Sequence, residues 1–92
     1  MHQMGSEMLT RLHQALPEAR VYWEKEPGRQ LKGSVLTAEL KHRKFTIEFA
    51  SNEPESDPDE NLDGTLVDQV VDDFVDFFAN SIYPKEKFTR LI

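Results

Sequence analysis

Hydrophobic and polar positions along the chain fall into five periodic stretches separated by turn-forming or polar residues. The first is helical: Met8, Leu9, Leu12, Ala15 and Leu16 recur at three- and four-residue spacing, Ser6 stands where an N-cap belongs, and Pro17 ends the run. Ala19, Val21 and Trp23 then alternate with Arg20, Tyr22 and Glu24, the period of a half-buried strand. Glu26-Pro27-Gly28-Arg29 makes a turn, and the chain as far as Gly33 reads as loop. Leu36, Ala38 and Leu40 alternate next, followed after Lys41-His42-Arg43-Lys44 by Phe45, Ile47 and Phe49. This is a β-hairpin with a four-residue connection. The expected register sets Leu40 against Phe45, Ala38 against Ile47 and Leu36 against Phe49 on one face. Glu39 then opposes Thr46, and Thr37 opposes Glu48, on the other.

The strongest pattern lies in the second half. From Thr65, with Asp68 three residues on as a capping-box variant, the chain follows a helical period. At about 100° per residue, Leu66, Val67, Val70, Val71, Phe74, Val75, Phe77, Phe78 and Ile82 fill an arc of about 180°. Asp68, Gln69, Asp72, Asp73, Asp76, Ala79 and Asn80 fill the opposite side. Pro84 follows, and Phe88, Leu91 and Ile92 fit either one more helical turn or a short strand.

The order α-β-β-β-α predicts an α+β two-layer sandwich. In it a three-stranded antiparallel meander is covered on its apolar face by two helices, with a short C-terminal extension. Residues 1–92 are expected to form a single domain. Residues 1–5 are expected to be disordered and residues 51–64 to form a flexible acidic loop, since only Leu62 there is large and apolar. A helix lying on a sheet needs an apolar stripe a little over about 100° wide, so the wider face of the last helix must meet something more. Either the first helix or a protein partner meets that need.

Composition changes this picture in two respects. The net charge of −6 is unevenly placed: ten acids and no base lie between Asn52 and Asp76. The rest of the chain is net basic, and such segregation influences which partners approach. There is no cysteine, hence no disulfide or thiolate site, and no apolar run long enough to span a membrane. With no leader-like start, a cytoplasmic location is the expectation.

The candidate chemistry is thin. Asp59-x-Asn61-x-Asp63-Gly64-Thr65-Leu66 follows the first eight positions of an EF-hand calcium loop, with Asp59, Asn61, Asp63 and Thr65 as the ligand positions. Position nine is Val67, position twelve is Val70 in place of the bidentate glutamate, and no helix precedes the loop, so at most a weak calcium-responsive module results. His2, His13 and His42 share no metal-ligand spacing, and there is neither a nucleophile elbow nor a phosphate-binding glycine loop. No enzyme activity and no cofactor are expected. Lys41-His42-Arg43-Lys44, with Arg29 and Lys32, forms a basic patch, and the element order is similar to that of double-stranded-RNA-binding domains. That likeness is of topology alone. Such domains carry lysines where this chain has Asp68, Asp72 and Asp73, so phosphate is repelled there and nucleic acid is not an expected partner.

What remains is a non-catalytic, acidic protein-interaction domain, self-associating or binding another protein through Val71, Phe74, Val75, Phe78 and Ile82. An alternative is an inhibitor that imitates nucleic acid, presenting Asp68, Asp72, Asp73 and Asp76 to a basic nuclease or DNA-binding protein.

Overall fold

A computed structural model describes residues 3–50 and 64–91. The elements are α1 (Gln3–Ala15), β1 (Arg20–Lys25), β2 (Val35–Leu40), β3 (Arg43–Ala50), α2 (Gly64–Asn80) and β4 (Lys85–Leu91). The fold is α+β: two helices and a four-stranded sheet of order β1-β2-β3-β4. The first three strands form the expected antiparallel meander. The sheet does not stop there. The C-terminal extension is a fourth strand, paired parallel to β3, so the sheet is mixed and not a purely antiparallel three-stranded one. Parallel neighbours need a long crossover, usually helical, and α2 lies in the connection between β3 and β4.

One core joins the layers. Met8 and Leu12 of α1 and Leu66, Val67, Val70, Val71, Phe74 and Phe77 of α2 pack with Val21, Leu36, Ala38, Phe45, Ile47 and Phe49 of the sheet. Phe45 is the hub on the sheet side. Its ring stacks on Phe77 at 4.8 Å and meets Phe74 edge-on at 5.0 Å, contacts each worth about 0.5–1.5 kcal/mol beyond burial. Leu31, in the loop between β1 and β2, is also fully buried. Gly33 allows that loop to return: its φ of +84° is open to glycine at no steric cost, and its N–H donates to the carbonyl of Phe49 at 2.7 Å.

The hairpin register differs from the expected one by two residues. Leu36 faces Ile47, Ala38 faces Phe45, and Leu40 faces Arg43, leaving only Lys41 and His42 in the turn. Lys41 takes φ of +59°, the positive value that tight two-residue hairpin turns use at their first central position. A two-residue slip preserves which side chains share a face, so the core face is as expected while the opposing partners change. On the other face Thr37 now meets Thr46, and their hydroxyls hydrogen-bond at 3.0 Å within a buried pair.

The first helix starts earlier than Ser6, taking in residues 3–5. Gly5 is buried, and the Trp23 indole N–H donates to its carbonyl at 3.3 Å. A Cβ at Gly5 would lie 2.8 Å from Pro27 Cγ and 3.3 Å from Trp23 Cζ2, so only glycine lets the helix approach this closely. Of the expected acidic loop, residues 51–63 lie outside the described residues, and Gly64 already belongs to α2.

Candidate functional site

The sequence directs attention to the wide apolar face of α2. In the folded chain Val71 and Phe74 are buried, and Val75 and Phe78 are half-buried against the core. The surplus arc is taken up inside the chain, since α1 lies beside α2 and shares its core. Ile82 falls beyond the end of the helix and is 90% exposed.

The acidic side of the same helix is largely engaged. Asp68 accepts a hydrogen bond from the Arg11 guanidinium of α1. Asp73 accepts two from Arg90 of β4, at 2.7 and 3.2 Å, while the same guanidinium donates to Gln69 Oε1 at 3.0 Å. Asp76 accepts from the Asn80 side chain at 2.6 Å. Asp72 is exposed. Of the calcium-loop positions, Asp59, Asn61 and Asp63 lie outside the described residues, and Thr65 sits in the first turn of α2. Among the described residues no group of three or more His, Cys, Asp or Glu is placed to hold a metal ion.

The basic patch at the hairpin does not stay together. Lys44 turns to Glu24 at 3.1 Å, which holds the Glu24 carboxyl below its ordinary range; a hydrogen bond from Thr37 lowers it further. The same partner raises the Lys44 ammonium above its own ordinary value. Burial, followed by a hydrogen bond with Glu39, pushes the Tyr22 phenol up. Arg43 goes elsewhere. Its guanidinium lies under the C-terminal end of α2, where Nη1 donates to the Phe78 carbonyl at 2.9 Å and Nη2 to those of Phe77 and Ser81 at 3.0 and 2.5 Å. It also sits 4.8 Å from the centre of the Phe77 ring, a cation–π distance. The last carbonyls of a helix lack intrahelical donors and carry the negative end of its dipole. The final turn of α2 contains no basic residue of its own, and Arg43 supplies the missing charge from the sheet. That absence is the one sequence signal that pointed to a cation arriving from elsewhere.

This clamp sets where the chain leaves α2. Pro84, just after the clamped segment, accepts a hydrogen bond from the Lys44 N–H at 2.9 Å, and the parallel ladder runs on from Lys44↔Lys85 to Ala50↔Leu91. In such a ladder successive residues of a strand present their backbone groups to alternate sides. With Pro84 turned toward β3, Glu86, Phe88 and Arg90 also bond toward β3. Lys85, Lys87, Thr89 and Leu91 point their N–H and C=O groups to the outside of the sheet. Among the described residues no strand lies on that side.

Exposed large apolar side chains gather in the same region: Ile82 at 90%, Tyr83 at 61%, Leu91 at 55% and Phe88 at 44%. Between β4 and α2 there is a cavity of about 350 Å³, its apolar wall made by Phe45, Phe77 and Phe88 and its acidic rim by Asp73, Asp76 and Glu86. None of these β4 features was legible beforehand, because the extension showed no decisive period.

Together these features define a small α+β domain with a mixed four-stranded sheet, one edge of which is partly apolar and unpaired among the described residues. Comparison with protein-family models and with curated proteins finds no match to this chain. No described helix is long and apolar enough to cross a membrane.

Proposed function

We propose that this chain is a non-catalytic protein-interaction domain, cytoplasmic and self-associating, that makes its contact through the open β4 edge and the apolar side chains around it. The observation that carries this reading is the concentration of exposed large apolar residues in 82–91, beside a strand whose outer backbone groups are unpaired among the described residues. Exposed edges are templates for further pairing, and proteins ordinarily blunt them. The opposite edge, β1, carries a bulge between Trp23 and Lys25, a device that twists an edge away from partners. The register of β4 is continuous over all its residues.

The contact surface proposed here adjoins the α2 face without using its buried members. Val71 and Phe74 hold the monomer together, while Ile82, with Tyr83, contributes outside it. Imitation of nucleic acid finds less support, because Asp68, Asp73 and Asp76 already have partners within the chain. Sedimentation velocity on the full chain tests self-association. A concentration-dependent dimer is expected in the micromolar range, and a strict monomer up to near-millimolar concentration overturns the reading.

A further inference from the structure

We infer that the occupant of the β4 edge is a second copy of this chain, added antiparallel about a two-fold axis at Phe88, so that two four-stranded sheets become one of eight strands. The inference rests on the interaction reading above and goes further in naming the partner and its register.

The backbone phase dictates which registers are open. In an antiparallel pair, residues whose N–H and C=O groups face each other alternate with residues whose groups face away. The outward set of β4 is Lys85, Lys87, Thr89 and Leu91, so these must oppose one another across the axis. Centring the pair on Phe88 does this: Lys87 faces Thr89 of the second copy and Lys85 faces its Leu91. About eight main-chain hydrogen bonds result, two for each facing pair.

Side-chain charge selects among the registers in phase. With the axis at Phe88, Glu86 opposes Arg90 of the second copy on the helix-bearing face, and the reciprocal pair forms by symmetry. Phe88 meets its own counterpart in a position of closest cross-strand approach. A slip of the axis to Lys87 sets lysine against lysine, and one to Arg90 sets arginine against arginine, both unfavourable. A slip to Thr89 makes no opposite-charge pair, with Phe88 facing Arg90 and Lys87 facing Leu91. Charged residues on an edge usually deter pairing. Here the Phe88 register turns them into complementary pairs. It also sets Glu86, which lies on the acidic rim of the cavity beside α2 together with Asp76, across from an Arg90 that is held in place by Asp73 and Gln69 of its own chain. That rim carries three carboxylates, and one arginine of the same chain, Arg90, already engages Asp73. The pairing surface is self-complementary, as a two-fold contact requires.

The chain has no cysteine, so single-cysteine variants report register directly. Phe88→Cys is expected to form a disulfide-linked dimer in high yield under mild oxidation, and Glu86→Cys is not, because residues 86 of the two copies stand about 13 Å apart at strand spacing. A mixture of Glu86→Cys and Arg90→Cys chains is expected to yield the cross-linked pair. Thr89→Pro removes an outward N–H without touching the bonds to β3, and Glu86→Arg makes two like-charge pairs. Each is expected to raise the dimer dissociation constant about tenfold or more, with circular dichroism and the melting transition showing that the monomer remains folded.

If the wild type is a dimer but Phe88→Cys fails to cross-link, or Thr89→Pro leaves the dimer intact, the register is overturned while self-association stands. A wild-type monomer at near-millimolar concentration overturns both. Saturable binding of a basic peptide to that monomer identifies the edge as a site for another partner and equally removes the second copy.

Discussion

Replacing Arg43 by alanine should loosen the C-terminal end of α2 and the start of β4 together. The wild-type guanidinium makes three hydrogen bonds to the carbonyls of Phe77, Phe78 and Ser81 and a long one, at 3.4 Å, to Tyr83. Hydrogen bonds to charged groups net about 1.5–3 kcal/mol each. The site is only part-buried, so water replaces some of what is lost, and the carbonyl of Phe77 keeps its bond from the Ser81 N–H. A total near 2–4 kcal/mol is the resulting expectation, including the lost stacking on Phe77. For a domain of this size each kcal/mol lowers Tm by about 4–8 °C, so the variant should melt roughly 8–32 °C below wild type. Urea unfolding followed by far-ultraviolet circular dichroism measures the change, with the slope m held in view as a check on two-state behaviour. Arg43→Lys should recover less than half of the loss, because a compact ammonium lacks the planar fork that reaches several carbonyls at once. Amide exchange adds a spatial signature: protection should fall first at the Lys44 amide and along β4, whose ladder begins at Pro84. A loss in Arg43→Ala below about 0.5 kcal/mol, the range of an ordinary surface substitution, would refute the clamp, as would full rescue by lysine.

Two further predictions concern the face of the sheet opposite the helices. Thr37→Val should cost about 1 kcal/mol or more because it strands the Thr46 hydroxyl and removes the Thr37 hydrogen bond to Glu24, whereas the double variant Thr37→Val/Thr46→Val should recover the part due to Thr46; urea midpoints for the three proteins decide it, and additive losses sink the idea. The lowered Glu24 and raised Lys44 values fix two signs of pH dependence. The Glu24 contribution is present above its ordinary value of 4.5 and lost as pH falls through its folded value. The Lys44 contribution is present below 10.5 and lost as pH rises through its folded value. Lys44→Met should therefore move the Glu24 carboxyl upward toward 4.5 in a carbon-13 titration, and an unmoved Glu24 removes the pair as the cause.

The α2 element shows how far local pattern reaches. Its apolar and acidic sides are a property of spacing alone, and they decided that the segment is a helix with one buried face. They did not decide what covers that face. The surplus arc had two possible covers, and only the folded chain shows α1 in that place, which changes Val71 and Phe74 from interface candidates into core. The hairpin marks a similar boundary. Alternation determined which residues of β2 and β3 share a side, because the side-chain period of a strand is two. Register slips of two residues leave that assignment untouched, so the pairing waited on turn geometry, settled by Lys41 in the left-handed region.

The open edge and its surroundings were the least legible. Lys85-Glu86-Lys87-Phe88-Thr89-Arg90-Leu91 has no clean apolar alternation, since its helix-facing positions carry Glu86 and Arg90 as well as Phe88. Its strand state comes from β3, which offers an unfilled ladder at the point where α2 delivers the chain. Arg43 likewise reads locally as one cation in a solvated turn. Its function as a helix cap depends on the end of α2, 34–38 residues away in sequence, arriving beneath it. Sequence by itself determined the first five elements, their buried faces and the charge asymmetry, because those follow from short-range periodicity and composition. The direction of β4, the fate of the basic turn, the cover over α2 and the location of the open edge were decided by tertiary structure. Each depends on which distant groups come within hydrogen-bonding or van der Waals reach, and no local pattern encodes that.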